Sequence, residues 1–208
     1  MALSEMINQR ILGYDLRVWP PPVWDEEMRS SFLYRLDAPR ILSVDALVWP
    51  APEAREDWLE EHPGGGFLGL YEEAPELDHV AGEGTVVITV SVVEGDWTDA
   101  QRAAWDGLAL EPVADDYAPI GLRLLDEQPM KEATGVTSFL GFDVADSGLI
   151  SGLSSCGGVK DCERAAFLDQ LNEHHLFDDV EAAQAFRIFA DGRVPEHAPF
   201  FVYGLWRC

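Results

Sequence analysis

A chain of 208 residues that is 47% hydrophobic and 11% aromatic has ample apolar mass for a packed core, which excludes an intrinsically disordered chain. Its longest apolar run, residues 85–93, is far short of the roughly 20 residues needed to cross a bilayer. Its formal net charge of −24 argues against direct nucleic-acid binding and against an anionic membrane surface, since both need Lys and Arg clusters and none occurs.

In chain order, residues 1–12 carry Glu5 and Arg10 and no extended apolar stretch before a small-residue cleavage site, so no export signal is read and the cytoplasm is the expected location. Residues 11–18 alternate as a strand, which Pro20, Pro21 and Pro22 stop because proline supplies no amide hydrogen. Residues 25–36 read as a helix with Met28, Phe32, Leu33 and Leu36 on one face and an acidic first turn. A second strand is expected over 41–49, a short helix over 52–61 ended by His62, Pro63 and three glycines, and a short strand over 67–71. Residues 85–93, β-branched except at Ser91 and apolar on both faces, predict a strand central in its sheet. Thr98 and Gln101 form a capping box for a helix of about ten residues with Ala104, Trp105 and Leu108 inward.

Further strands are expected over 120–125 and 136–144, with Asp143 and Asp146 read as turn chemistry around Gly141 and Gly148. Two helices follow, over 161–174 and 179–190, the second with an acidic start at Asp178 and Glu181. Pro195 and Pro199 bracket a loop before an aromatic-rich strand over 200–207. Strand groups and helix groups without regular βαβ alternation indicate an α+β fold, with a mixed or mostly antiparallel sheet and four to five helices. The chain reads as a single domain over 1–208, with 112–119 the place where two subdomains would meet.

The charge consists of 38 acids against 14 basic residues, only two of them lysines, Lys131 and Lys160. A protein of this size exposes roughly 9,700 Å², so evenly spread net charge would be spaced by about 20 Å, beyond the Debye length of roughly 8 Å. Only clustering makes a field that a partner feels. Glu53, Glu56, Asp57, Glu60 and Glu61 fall on one face of the 52–61 helix, with Trp58 and Leu59 as its apolar side. Five like-charged pairs at helical spacing make that face unfavourable by roughly 1–2.5 kcal/mol. Arg55 has no acidic neighbour three or four residues away, and Glu60 and Glu61 sit at the negative end of the helix dipole. Glu72 and Glu73 extend the acidic run. A basic partner accounts for such a stripe; a surface adapted to solubility or high salt is the plainer account.

Catalytic motifs are weak. The stretch from Gly152 to Lys160 fails as a phosphate loop, because the lysine comes two residues late and Asp161 follows it. The alternative reading is a cysteine-dependent enzyme with Cys156 as nucleophile, His174 or His175 as base and Asp178 as orienter. Against it, a free cysteine is usually a small buried hydrophobe and paired histidines near a helix end are usually polar caps. Cys156, Cys162 and Cys208 are odd in number and read as reduced thiols, and no zinc spacing occurs. His174, His175, Asp178 and Asp179 cannot all converge on a metal, so no metal or cofactor is expected. Of the seven tryptophans most are read as core, with one or two as interface anchors.

In charge, size and expected location the chain resembles bacterial immunity proteins, small acidic proteins that neutralise a basic toxin by covering its active cleft. The resemblance implies a basic protein partner, and places the carboxylates of Glu53, Glu56, Asp57, Glu60 and Glu61 where the toxin expects an anion.

Overall fold

The run from Thr85 to Val93 builds an inner strand of the sheet. In the computed structural model, which describes residues 9–21, 42–44, 84–95, 97–110, 138–154 and 159–208, it forms strand β2 between β1, Gln9–Val18, and the C-terminal β4, Phe200–Arg207. β3, Ser138–Asp146, pairs with the far side of β4, giving the order β1-β2-β4-β3 with every pairing antiparallel. The fold is therefore α+β with an antiparallel sheet, and the central position expected for 85–93 is the one observed.

Alternation along β2 and β4 divides two cores between the two faces of the sheet. Val86, Ile88, Val90 and Val92 join Phe201, Tyr203 and Leu205 on one face, under Leu42, Val44, Trp105 and Leu176. Val93, Phe142, Val144, Phe200 and Val202 lie on the other, under Ala183, Phe186 and Ala190. The first face is closed in part by helix α1, Asp99–Leu110. Its capping box forms as the sequence predicts: Gln101 N donates to Thr98 Oγ1 (3.1 Å) and Thr98 N to Gln101 Oε1 (2.9 Å). Gln101 Nε2 also donates to Phe200 O (2.8 Å), fastening the helix start to β4. Trp105 then stacks against Phe201 and Trp97, with ring centroids 5.3 and 5.2 Å away.

Where the sequence predicts a helix over 161–174, the chain makes a single helical turn, α2, Asp161–Arg164, then a 3₁₀ turn, Leu168–Gln170. Tertiary bonds overrule helix propensity beyond it. Phe142 and Phe177 exchange backbone bonds of 2.8 and 2.9 Å, which draws the chain into contact with β3. Asn172 holds the bend by accepting from His174 N and Leu176 N, at 2.8 and 3.3 Å, while its amide donates to Leu140 O (2.8 Å). His175 takes a positive φ of 60°, which a helix does not allow.

Helix α3, Val180–Arg193, starts one residue later than predicted and runs three residues further. Asp179 caps it by accepting from Glu181 N (3.0 Å), and Ala183, Phe186 and Ala190 form its buried face. Burial of Phe186 alone contributes about 1.5–3 kcal/mol. β3 is displaced by two residues from the predicted 136–144, with a register shift between Phe139 and Gly141. Gly141 there has φ of 139°, and a Cβ on it would lie 2.5 Å from Leu176 Cβ.

The described residues hold three α-helices. The helices predicted over 25–36 and 52–61, the strands over 67–71 and 120–125, and the boundary at 112–119 lie outside them. Of the strand predicted over 41–49, residues 42–44 are described, and they are not in a strand. No helix among the described residues is long and apolar enough to cross a membrane.

Candidate functional site

Glu53, Glu56, Asp57, Glu60, Glu61, Glu72 and Glu73 lie outside the described residues, and so does Cys156. The structure does show where the cations are. Seven arginines are described, and each is engaged within the chain. Arg10 bonds Glu94 (2.6 Å), Arg187 bonds Asp191 (2.7 Å) and Arg193 bonds Glu163 (2.7 Å). Arg17 pairs with Asp15, both about 2% exposed, and donates to Val44 O (3.4 Å). Arg164, fully buried, donates to Gly152 O (3.2 Å), Arg102 donates to Trp97 O (2.5 Å), and Arg207 lies 4.6 Å over the Trp19 ring.

The described acids fall into two sets, of which Asp15, Glu94, Asp143, Asp146, Glu163 and Asp191 are buried or half-buried. Asp99, Asp169, Glu173, Asp178, Asp179, Glu181 and Glu196 are exposed. Five of these fall within residues 165–186, a stretch with no Lys or Arg at all. Asp178 and Asp179 bond neutral donors, Asn172 Nδ2 (2.8 Å) and Glu181 N (3.0 Å), so their charges are not neutralised by these contacts.

The catalytic alternative is placed only in part. His174 is half-buried, its ring centroid is 5.7 Å from that of Trp19, and its carbonyl accepts from Leu42 N (2.9 Å). Burial holds its imidazole below the ordinary pKa, against the pull of Glu173 and Asp178. Asp178, the proposed orienter, is tied to the amide of Asn172. Cys162 is exposed and Cys208 half-buried; both are free thiols. Trp105 and Trp206 are core residues, while Trp19 and Trp97 pack partly buried against the core.

Asp143 departs from the turn role the sequence predicts. It lies within β3 at 1% exposure, and its carboxylate gathers four donors. Oδ1 accepts from Val144 N (2.7 Å) and Ser151 Oγ (2.8 Å); Oδ2 accepts from Ser43 Oγ (2.7 Å) and Val44 N (2.9 Å). Ser154 Oγ donates to Ser43 Oγ (3.1 Å), and Ser151 Oγ accepts from Leu153 N and Ser154 N (3.2 and 3.3 Å). Burial pushes the Asp143 carboxyl above its ordinary pKa, and the bonds from Ser43, Val44, Ser151 and Val144 counter it only in part. The phenol of Tyr203 is raised well above its usual range by burial, then by Asp146 and Asp143. Asp143 lies in β3 four residues before the turn at Ser147–Gly148, and no local signal in the sequence links it to Ser43, 100 residues away.

Asp146 does perform turn chemistry. Its Oδ1 accepts from Gly148 N (2.8 Å) and Ile150 N (2.9 Å), and its Oδ2 meets His197 Nδ1 at 3.0 Å. No group of three or more metal-ligating side chains occurs among the described residues. Comparison of the chain with protein-family models, with curated proteins and with solved structures returned no match.

Proposed function

We propose that this chain is an acidic, non-enzymatic binding protein that masks the cationic surface of a basic protein, in the manner of an immunity protein neutralising a toxin, and that it acts in the cytoplasm. The observation that supports the reading is the division of charge among the described residues: every arginine is engaged by an acid, a carbonyl or an aromatic ring of the chain, while seven acids face solvent against one exposed lysine, Lys160. Among the described residues, unpaired negative charge therefore reaches the surface, where a partner would meet it. Electrostatic steering between opposite surfaces raises association rates by 10 to ~10³-fold.

The contact residues in this reading are Glu53, Glu56, Asp57, Glu60 and Glu61, with Glu72 and Glu73 beside them. Helices over 25–36 and 52–61 would bring the total to five, and the second would carry the stripe. The test is capture from an extract of the source organism at low and moderate salt, followed by stopped-flow association with the protein retained. The reading expects a basic partner, lost as salt rises, whose association slows at least tenfold when Glu56→Lys, Asp57→Lys and Glu60→Lys are combined. A partner that is not basic, or association kinetics unchanged by the triple reversal, refutes it.

A further inference from the structure

We infer that Asp143 and the tripeptide 42–44 form a pH-responsive clip on the sheet, which closes more tightly in acid and opens more readily toward neutral pH while the sheet stays folded. The clip is held differently from the strands around it. Residues 42–44 are fixed by bonds that converge from three directions: Leu42 N to His174 O, Val44 O from Arg17, and Ser43 Oγ with Val44 N onto Asp143. Opening removes two of the four donors of the carboxylate, since Val144 N and Ser151 Oγ stay with β3 and the segment after it.

Opening also returns water to a carboxylate that closure leaves 1% exposed. Rehydration of an ion offsets lost bonds, so the charged clip is held near balance. Which contribution wins is set by the direction of the shift: in the closed form burial outweighs the four bonds and lifts the carboxyl above 3.8. In the open, hydrated form it returns toward that ordinary value. The closed form therefore binds the proton more tightly. Below the ordinary value both forms are protonated and closure is strongest; as pH rises from there through the raised value, closure weakens.

The serine network accommodates both states. When Asp143 is protonated, Oδ2 donates to Ser43 Oγ, whose hydroxyl turns toward Ser154 Oγ, 3.1 Å away. The second lone pair of Oδ2 still accepts from Val44 N.

Among the described residues, the surrounding elements bring the following charged and titratable groups. β4 brings Tyr203, β1 the Asp15–Arg17 pair, α2 Arg164 through Gly152 O, and β3 itself Asp146 with His197. The loop before α3 brings His174, whose burial favours its neutral form, so its protonation in acid loosens the clip and acts with opposite sign. Val44 leads directly into 45–83, the stretch with the acidic stripe. Under the binding reading above, the clip fixes the last described residue before that stretch, Val44.

Hydrogen exchange of the full chain between about pH 4 and 8, corrected for intrinsic rates, tests the clip without any partner, so the clip and the binding reading can fail separately. One linked proton predicts that protection of the Leu42 and Val44 amides falls by up to about tenfold per pH unit within the window. Amides of β2 and β4 should show no matching slope. Asp143→Asn removes the slope, because an amide does not titrate; Ser43→Ala lowers protection and keeps it. Should Asp143→Asn fail to fold, the unaltered chain and Ser43→Ala still decide. Protection of 42–44 that is flat or rises with pH in the unaltered chain, or that changes in parallel with β2 and β4, overturns the proposal.

Discussion

Replacing Gly204 with alanine should destabilise the fold although the same change in an accommodating strand stabilises by about 0.4–1 kcal/mol. Its backbone is compatible with a side chain, since no positive φ is involved, so space decides the sign. A Cβ there would lie 2.5 Å from Gln9 Oε1, 2.6 Å from Ser91 Oγ and 3.0 Å from Trp206 Nε1. These three groups form one buried network: Ser91 Oγ donates to Gln9 Oε1 (2.6 Å), and Trp206 Nε1 donates to both, at 3.0 and 3.2 Å. Making room separates them and leaves the indole N–H without an acceptor, which costs about 1–3 kcal/mol. Overpacking of a full core adds roughly 1–3 kcal/mol. After the backbone gain, the expected net loss is about 1–6 kcal/mol. Urea unfolding followed by tryptophan fluorescence should show it as a midpoint lower by about 0.5–3 M, for a slope of roughly 2 kcal/mol/M. Adding Ser91→Ala removes one obstructing atom, so the double variant should lose less than the sum of the two singles, with coupling above about 1 kcal/mol. A midpoint that is unchanged or raised in Gly204→Ala would refute the reasoning, because it would mean the network moves aside freely.

Gly141→Ala meets both a backbone φ of 139° and Leu176 Cβ at 2.5 Å, and should lower stability by about 3 kcal/mol or more in thermal unfolding. Gln101→Ala loses the acceptor of Thr98 N and the tie to Phe200 O while keeping its own backbone bond to Thr98 Oγ1, and is expected to cost about 1–3 kcal/mol in urea, with helical signal lost first around α1. His174 should titrate below 6.5 by NMR; because its folded pKa is lowered, the stability it contributes is full above 6.5 and falls as pH drops through that value. His174→Gln should remove that part of the acid loss, and a titration at or above 6.5 would contradict it. Raising NaCl from low levels to about 0.5 M should raise the melting temperature, since salt screens the repulsion among outward acids more than the buried pairs; a falling melting temperature would place the repulsion elsewhere.

Elements whose pattern is set by their own residues are legible in the sequence. β2 matches the predicted 85–93 and β4 the predicted 200–207, because β-branched and aromatic residues there bury both faces whatever the partner strands. α1 is legible from Thr98 and Gln101, whose bonds are local. The helix predicted over 161–174 shows where local reading stops: Asn172 bonds Leu140 O from 32 residues away, and Phe177 bonds Phe142, so distant contacts break a locally plausible helix. The role of Asp143 is hidden for the same reason. Ser43 lies 100 residues from it in sequence, and nothing in the neighbourhood of either announces the other. Strand order is not legible either, since β4 inserts between β2 and β3 from the C-terminal end.

The two charge populations explain one another. Asp15 and Asp191 need cations at short range, and the fold supplies Arg17 and Arg187 for them. Asp143 instead draws on hydroxyl and amide donors, so its ionised form is tolerated without any cation and remains sensitive to water. Among the described residues the arginines are already engaged within the chain and Lys160 is the one lysine, so each exposed acid adds to the external field with little to cancel it. Among the described residues the exposed acids are unevenly placed: residues 165–186 bear five of them and no Lys or Arg. A fold built this way gains solubility and long-range attraction for cations from one arrangement. Only a response to reversal of chosen acids, at constant total fold stability, separates the second property from the first.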